Sequence, residues 1–475
     1  MELVIGLEIH AQLKSKHKLF CSCPVRFGAP PNSLICPICT GQPGALPVLH
    51  AEPIRLAWLA GMALQCNLQE TFHFARKHYM YADLPKGYQI TQGKHPIGWG
   101  GMVEVELPDR SRKHVGLQRI HIEEDAGQLI HVLEEGVSQV DFNRCGVSLL
   151  EIVTKPVLHS AEEAVAFLRG LREILLFLDV CDGNMQEGSL RCDVNLSLRP
   201  DPVSPLGVRT EIKNMNSFRF MADAIRYETE RHRRCLEAGE LLVPETRLWD
   251  VSAQKTRVMR RKETAEDYRY MPEPDLPPIN VSKEALHHEA GPMPELPLAR
   301  RDRWLKQGVS FQDAQTLCGS KDLADYFDEC MGIAPSAKIA SHWIVGEFLR
   351  ILNKQGSSVQ DCLFLPLEFG CLLSELKRGL IVREQAKAIL QYGIEMGASY
   401  QRAKEQLGIG KVASEDAVKS AIAEVLTDNS SVVKRYQQGE TKVLGFLMGK
   451  LREATDGKAS MKEAGKLLRE ALESE

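Results

Sequence analysis

The chain of 475 residues contains no apolar run approaching the ~18 residues that a membrane-crossing helix requires. Nor does it carry an excess of positive charge, since 59 Lys and Arg stand against 63 Asp and Glu for a formal net charge of -4. A chain so balanced is not a basic nucleic-acid binder as a whole, and any contact with RNA must use local basic patches. A phosphate-binding GxxxxGK[ST] loop is missing. Each Gly-Lys pair (Gly93-Lys94, Gly410-Lys411, Gly449-Lys450, Gly457-Lys458, Gly465-Lys466) lacks the hydroxyl that should follow. No HExxH occurs, which removes the common zinc-hydrolase signature. The opening residues Met1-Glu2-Leu3-Val4-Ile5-Gly6 already form a strand pattern rather than a signal or transit peptide, so a cytoplasmic location is expected. Thirteen cysteines, an odd number, then imply free thiols or metal ligands rather than disulfides.

What is present is an ordinary globular composition, 44% hydrophobic and 26% charged. The length suggests about three domains. Residues 1–290 alternate in short segments punctuated by Gly, Pro and Asn, which predicts an α+β domain with a mainly antiparallel sheet. One helix is well marked by the capping-box spacing of Ser160-Ala161-Glu162-Glu163, followed by Val165, Leu168, Leu171, Leu175 and Leu178. The run Pro272-Glu273-Pro274-Asp275-Leu276-Pro277-Pro278, with Pro292, Pro294 and Pro297, reads as an extended linker closing that domain. Beyond it the pattern is helical. A domain over 291–408 has Trp343, Phe348 and Leu349 as core candidates, and a helical tail over 409–475 starts near Lys411, with helix ends marked by Gly439 and Gly457.

Two close thiol pairs, Cys21-Ser22-Cys23 and Cys36-Pro37-Ile38-Cys39, flank one loop containing Gly28, Pro30 and Pro31. Four thiolates so spaced can converge tetrahedrally on zinc, so a four-cysteine knuckle is expected over 21–39. With every coordination position filled by sulfur, such a zinc would be structural.

Strand alternation makes the first domain chemically informative. Leu3, Ile5, Leu7, Ile9 and Leu13 point one way, and Glu8, His10 and Gln12 the other. Ile120 and Ile122 oppose Arg119, His121 and Glu123, with Glu124 and Asp125 following at once. Val194, Leu196 and Leu198 oppose Asp193, Asn195 and Ser197, and a proline-rich turn leads to a strand on which Arg209, Glu211 and Lys213 alternate with Val208, Thr210 and Ile212. Glu151, apolar on both sides in Leu149-Leu150-Glu151-Ile152-Val153, reads instead as a satisfied buried carboxylate. Alternation of this kind is the ordinary pattern of a sheet with one solvated face. Several carboxylates gathered on one concave face are costly, by several kcal/mol each, unless a cation compensates them. Magnesium held by a few carboxylates together with phosphate oxygens would do so, and the face fits Mg-ATP and a phosphorylated intermediate.

Six segments now carry a resemblance. They are Glu8-Ile9-His10, Tyr81 to Ile90 (YADLPKGYQI), His121 to Gly127 (HIEEDAG), Asn184 to Asp193 (NMQEGSLRCD), Thr210 to Phe218 (TEIKNMNSF) and Asp267 to Asp275 (DYRYMPEPD). Together these resemble, over essentially the whole chain, the B subunits of the bacterial aspartyl/glutamyl-tRNA(Asn/Gln) amidotransferases. The resemblance implies a cradle domain related to glutamine synthetase, a helical domain and a small helical tail. It implies a reaction in which ATP phosphorylates the side-chain carboxylate of Glu-tRNA(Gln) or Asp-tRNA(Asn), after which ammonia displaces the phosphate. The glutaminase (amidase) A subunit would supply the ammonia, because no Ser-Ser-Lys amidase signature occurs here, and the small C subunit would complete a heterotrimer. ATP, Mg2+ and a structural Zn2+ are the implied cofactors. Glu8, His10, Glu123 and Glu124 are implied at the metal and phosphate centre. Asp193 and Glu211 are added to the catalytic set mainly by strand-face logic, and Lys77, Lys86 and Glu123 are implied along an ammonia tunnel.

Ala82 and Ser148 stand where the family pattern has proline, and Gly93 to Trp99 is atypical, differences of loop shape that touch no proposed ligand. The tail carries Lys434, Arg435, Lys442 and Lys450, followed by Arg452, Lys458, Lys462 and Lys466. By resemblance this domain grips tRNA through shape and phosphate contacts. The rival from another class is a non-catalytic zinc-containing tRNA-binding protein. A free-standing synthetase is disfavoured, since neither HIGH nor KMSKS appears, and the archaeal paralogue would need an extra domain for which the length leaves no room.

Overall fold

A computed structural model of the chain describes residues 1–132, 136–261, 268–409, 415–438, 440, 443–455, 459 and 461–474. Two compact units result, Met1–Leu298 and Ala299–Glu475. Lys411, Gly439, Lys442, Gly457 and Lys458 lie outside the described residues.

The first unit is built on a ten-stranded sheet. From one edge its strands run Lys255–Arg261, Glu245–Asp250, Thr210–Lys213, Leu190–Arg199, Glu2–Gln12, Ser148–Thr154, Arg112–Glu124, Gly98–Trp99 and Asn67–Leu68, and Met102–Glu106 pairs beside Arg112–Glu124. Every described pair is antiparallel except Thr210–Lys213 against Glu245–Asp250. With the helical second unit this makes the fold α+β.

The alternation read from the sequence sets the two faces. Ile5, Leu7 and Ile9 share a face with Ile120, Ile122, Leu150, Ile152, Val194 and Leu196, all buried in one core with the helices Ala51–Ala63, Ala161–Phe177 and Phe218–Glu237. The second of these helices starts as expected, with the Ser160 hydroxyl accepting the Glu163 N–H at 3.1 Å. Its Leu168, Leu171 and Leu175 are fully buried. Helices cover one face, so the polar side chains of the central strands gather on the other.

The proline-rich segment, read as an extended linker, pairs with the first unit. Met271–Pro272 pairs with the strand Ala75–His78, and Ile279–Asn280 pairs with Thr71–Phe72. Glu273 is buried and receives Arg76 Nε and Nη2 at 2.8 Å each. Proline breaks regular ladders, but one buried fork–fork ion pair and two short edge pairings are enough to strap the segment to the first unit.

The second unit is helical from Ala299 onward, with Trp343 and Phe348 buried and Leu349 half-buried. Its last part has a core of its own, in which Val418, Ile422, Val425, Leu447, Leu451, Leu468 and Leu472 pack together.

Candidate active site

The register of three central strands creates the site. Glu2–Gln12 pairs with Ser148–Thr154 so that His10 faces Glu151, and Ser148–Thr154 pairs with Arg112–Glu124 so that Glu151 faces His121. On the other side of the central strand Glu8 faces Asp193. Side chains from three strands thus meet on the uncovered face. His10 Nε2 lies 3.3 Å from both Glu123 and Glu151 and 3.9 Å from Glu8, while His121 Nε2 lies 3.4 Å from Glu123 and 3.1 Å from Glu151. Thr91 Oγ1 donates to Glu123 at 2.9 Å.

Burial opposes each of these charges, and the cluster overrides it by mutual pairing. Against burial, hydrogen bonds to Glu123 and Glu151 hold His10 well above its usual value. Burial likewise lowers His121, but the Glu151 charge and the bond to Glu123 raise it to about 9. Burial raises Glu123, and the bonds from His10 and His121 outweigh this and hold it well below the usual carboxylate range. Glu8 is the exception, its carboxyl pushed up by burial and by the neighbouring Glu151 charge.

Two members, Glu151 and His121, were missed as site residues on the sequence alone. Both stand on strand faces that the sequence exposes, but only the cross-strand register brings them together. Glu151 has apolar neighbours before and after because the Ser148–Thr154 strand is central, with one face in the core.

The donor chemistry of this cluster suits a hard divalent cation. One oxygen each from Glu123 and Glu151 and a nitrogen of His10 lie within 4.8 Å of one another, as do donor atoms of Glu8, His10 and Asp193. Burial and the neighbouring Glu151 charge push the Glu8 carboxyl up, as expected where carboxylates outnumber the cations beside them and a further cation would be accepted.

Glu8, Glu123, Glu151, His121, Lys77 and Arg119 line a cavity of about 740 Å3 whose wall is completed by Thr91, Trp99 and the strapped Tyr270–Pro272. The Lys77 ammonium sits 4.9 Å from the Tyr268 ring centre and 5.9 Å from that of Tyr79. Burial would lower Lys77, but the charges of Tyr270, Glu123 and Glu151 hold it above its ordinary range.

Not all the expected residues meet here. Glu124 follows Glu123 on one strand and therefore points to the opposite face. It contacts Lys86 and accepts the Ile90 N–H at 2.8 Å, in a separate cavity of about 260 Å3 shared with Cys21, Cys39 and Tyr88. Lys77 and Lys86 therefore line different cavities. Asp193 sits beside Glu8 and His10 and is paired with Lys213. Glu211 is one strand further out, 3.4 Å from Lys213 and hydrogen-bonded by Thr246 at 2.8 Å.

The four knuckle sulfurs lie within 4.8 Å of one another, and Cys36 and Cys39 Sγ are 3.9 Å apart. That spacing suits four thiolates at about 2.3 Å from one zinc, which would put the sulfurs roughly 3.8 Å apart. Lys18, with no exposure, directs its ammonium to Cys39 Sγ at 3.4 Å and to the Phe142 carbonyl at 3.2 Å. The Cys39 thiol is pulled down to about 4, chiefly by a bond from Cys21, with the Cys36 amide and Lys18 assisting. All thirteen cysteines are free.

In the tail, Lys434 is exposed, Arg435 pairs with Glu440 at 2.8 Å and Lys450 with Glu453 at 2.8 Å. No described helix is long and apolar enough to cross a membrane.

Residues 3–287 match the family model described as the GatB/GatE catalytic domain, and residues 325–472 match the one described as the GatB domain. The chain belongs to the B-subunit family of the aspartyl/glutamyl-tRNA(Asn/Gln) amidotransferases. The B subunits of that name from Thermodesulfovibrio yellowstonii and Myxococcus xanthus are each 42% identical to it, over 468 and 470 residues, or 98% and 99% of this chain and 98% of each relative. The one from Solidesulfovibrio magneticus is 43% identical over 472 residues, 99% of both chains. In this amidotransferase B subunit the matched catalytic domain contains the whole histidine–carboxylate cluster and the Tyr268–Pro272 strap.

Proposed function

We propose that this chain is the tRNA-binding, ATP-using subunit of a glutamine-dependent amidotransferase that converts Glu-tRNA(Gln), Asp-tRNA(Asn) or both into the correctly amidated forms. The observation that carries the proposal is the convergence on His10 of Glu8, Glu123 and Glu151, three carboxylates that line one cavity, within the region matched by the catalytic-domain model. A carboxylate is a poor electrophile until it gains a leaving group. In the first step a side-chain oxygen of the misacylated residue attacks the γ-phosphorus of ATP, and ADP leaves. In the second, ammonia attacks the acyl-phosphate carbonyl carbon, and phosphate departs as HPO4(2-), taking the proton that nitrogen loses.

Little of this chemistry is covalent work by the protein, so positioning and charge neutralisation dominate. Glu8, His10, Glu123 and Glu151, with Asp193 beside them, would hold Mg2+, which would neutralise phosphate charge when bound. His121 orients Glu123 and Glu151. Lys77, Lys86 and Glu123 would lie along the path of ammonia from the glutaminase A subunit, with the small C subunit completing the assembly. Glu124 would act there through Lys86, and Glu211 through Lys213. The knuckle would carry structural zinc. The tail from residue 409 would grip tRNA, through Lys434, Arg435 and Lys450 among others. Residues 1–290 form the catalytic cradle in this reading, residues 291–408 the intervening helical domain, and the cytoplasm is the compartment.

The test is co-expression with candidate A and C subunits, followed by an assay for ATP-dependent amidation of Glu-tRNA and Asp-tRNA. Amide formation with stoichiometric ADP, abolished by Glu123→Ala, is expected. A non-catalytic zinc-containing tRNA-binding protein would bind tRNA with no ATP turnover, and that result would reject the proposal.

A further inference from the structure

The cluster pairs its own charges, but Arg119 on the same wall keeps a buried guanidinium nitrogen without a partner among the described residues. Arg119 lies two residues before His121 on the same strand face, half-buried, and lines the same cavity. Its Nε is shut off from solvent with no hydrogen-bond acceptor, and among the described residues no carboxylate pairs with it. By contrast Glu123 and Glu151 are engaged by His10 and His121, and Lys77 is flanked by two tyrosine rings. A buried guanidinium edge without an acceptor is costly unless a ligand completes it.

We infer that Arg119 binds the terminal phosphates of the nucleoside triphosphate, its fork meeting phosphoryl oxygens beside the His121–Glu123 cluster. Three observations point this way. The planar fork matches two oxygens of one phosphoryl group, which a lysine cannot do. The carboxylates at the cluster end would repel a bare polyphosphate, so a fixed cation next to them is needed to seat it. Trp99 pairs with Arg119 across the neighbouring strand, is partly exposed and lines the same cavity, so an apolar surface for the remainder of the nucleotide adjoins the guanidinium. Arg119 lies outside the residues that the sequence motifs put forward as ligands, and the inference rests on the function proposed above.

The test uses the full chain assembled with its partner subunits. Calorimetric titration with ATP and with AMP, steady-state amidation and thermal unfolding are compared for the native chain, Arg119→Gln and Arg119→Lys. Arg119→Gln should weaken ATP binding by about 10- to 100-fold with AMP binding little changed, because one charge-assisted contact to the terminal phosphates is lost. Arg119→Lys should recover part of the loss, since it restores charge without the fork, and this variant keeps the test sound if the glutamine form folds poorly. The KM for ATP should rise while that for aminoacyl-tRNA stays put. Unchanged ATP affinity in a stably folded Arg119→Gln protein would overturn the inference, as would a rise confined to the KM for aminoacyl-tRNA, which would assign Arg119 to the substrate carboxylate. If the native assembly neither bound ATP nor formed amide, the function proposed above would fall instead.

Discussion

Replacing Glu151 by glutamine probes the site most directly, because it removes one charge and almost no volume. The side chain is 8% exposed and lies 3.3 Å from His10 Nε2 and 3.1 Å from His121 Nε2. Loss of one partner from a buried ion pair costs about 3–5 kcal/mol when the other partner must stay charged. Here His121 can release its proton, since Glu151 is the chief charge holding it up. The stability loss should therefore shrink to the scale of a lost charge-assisted hydrogen bond, roughly 1.5–3 kcal/mol. Function should suffer more than stability. If Glu151 is one of the cation donors, the Mg2+ concentration giving half-maximal amidation should rise at least 10- to 100-fold, roughly the loss seen when even an outer partner of a metal site is removed. Amidation measured across a Mg2+ titration, with denaturant unfolding of the same protein, separates the two effects. A Glu151→Gln enzyme with native Mg2+ dependence and native rate would refute the assignment of this carboxylate to the metal centre, whatever its stability.

Gly41 has φ +66, and a Cβ there would lie 2.5 Å from Lys86 Cγ, so Gly41→Ala should cost about 1–2 kcal/mol for the left-handed backbone and push Lys86 off Glu124. A crystal structure of the variant retaining the Lys86–Glu124 contact would contradict this. His232 is fully buried, and burial, with the Arg231 and Arg247 charges, depresses its pKa to about 4. Its contribution is present above the unfolded value near 6.5 and is lost as pH falls through about 4, so stability should drop by roughly 3 kcal/mol over that window. A His232→Gln protein showing the same pH slope in denaturant melts would disprove the linkage. Elemental analysis should find about one zinc per chain, lost in Cys39→Ser, with the knuckle becoming protease-sensitive; purified native chain free of zinc would end that reading. Deletion of the tail from residue 411 should weaken tRNA binding and leave ATP affinity intact, and unchanged tRNA affinity would remove the tail from the tRNA site.

Much of the site was legible before any coordinates. Period-two alternation placed Glu8 and His10 on one face of their strand, and Arg119, His121 and Glu123 on one face of theirs, because side-chain direction along a strand follows from backbone geometry alone. The paired cysteines likewise announced a four-sulfur cluster through spacing. Where local pattern was ambiguous, the reading fell short. Proline density marked residues 272–278 as an extended segment closing the first domain, but the Arg76–Glu273 pair that ties them down joins residues far apart in sequence, which no local pattern shows. Adjacent Glu123 and Glu124 read as one acidic unit, yet the pleat sends them to different cavities.

Family, fold class and the polarity of each strand face follow from residue order and short-range geometry. Tertiary structure alone decided which faces meet. Strand register is a long-range property, set by how the Ile and Leu side chains of three strands pack beneath the helices, and a slip of one residue would have turned His10 and Glu151 into the core. Cross-strand pairing therefore made Glu151 and His121 part of the cluster, and it left the Arg119 guanidinium facing the cavity with no carboxylate beside it among the described residues.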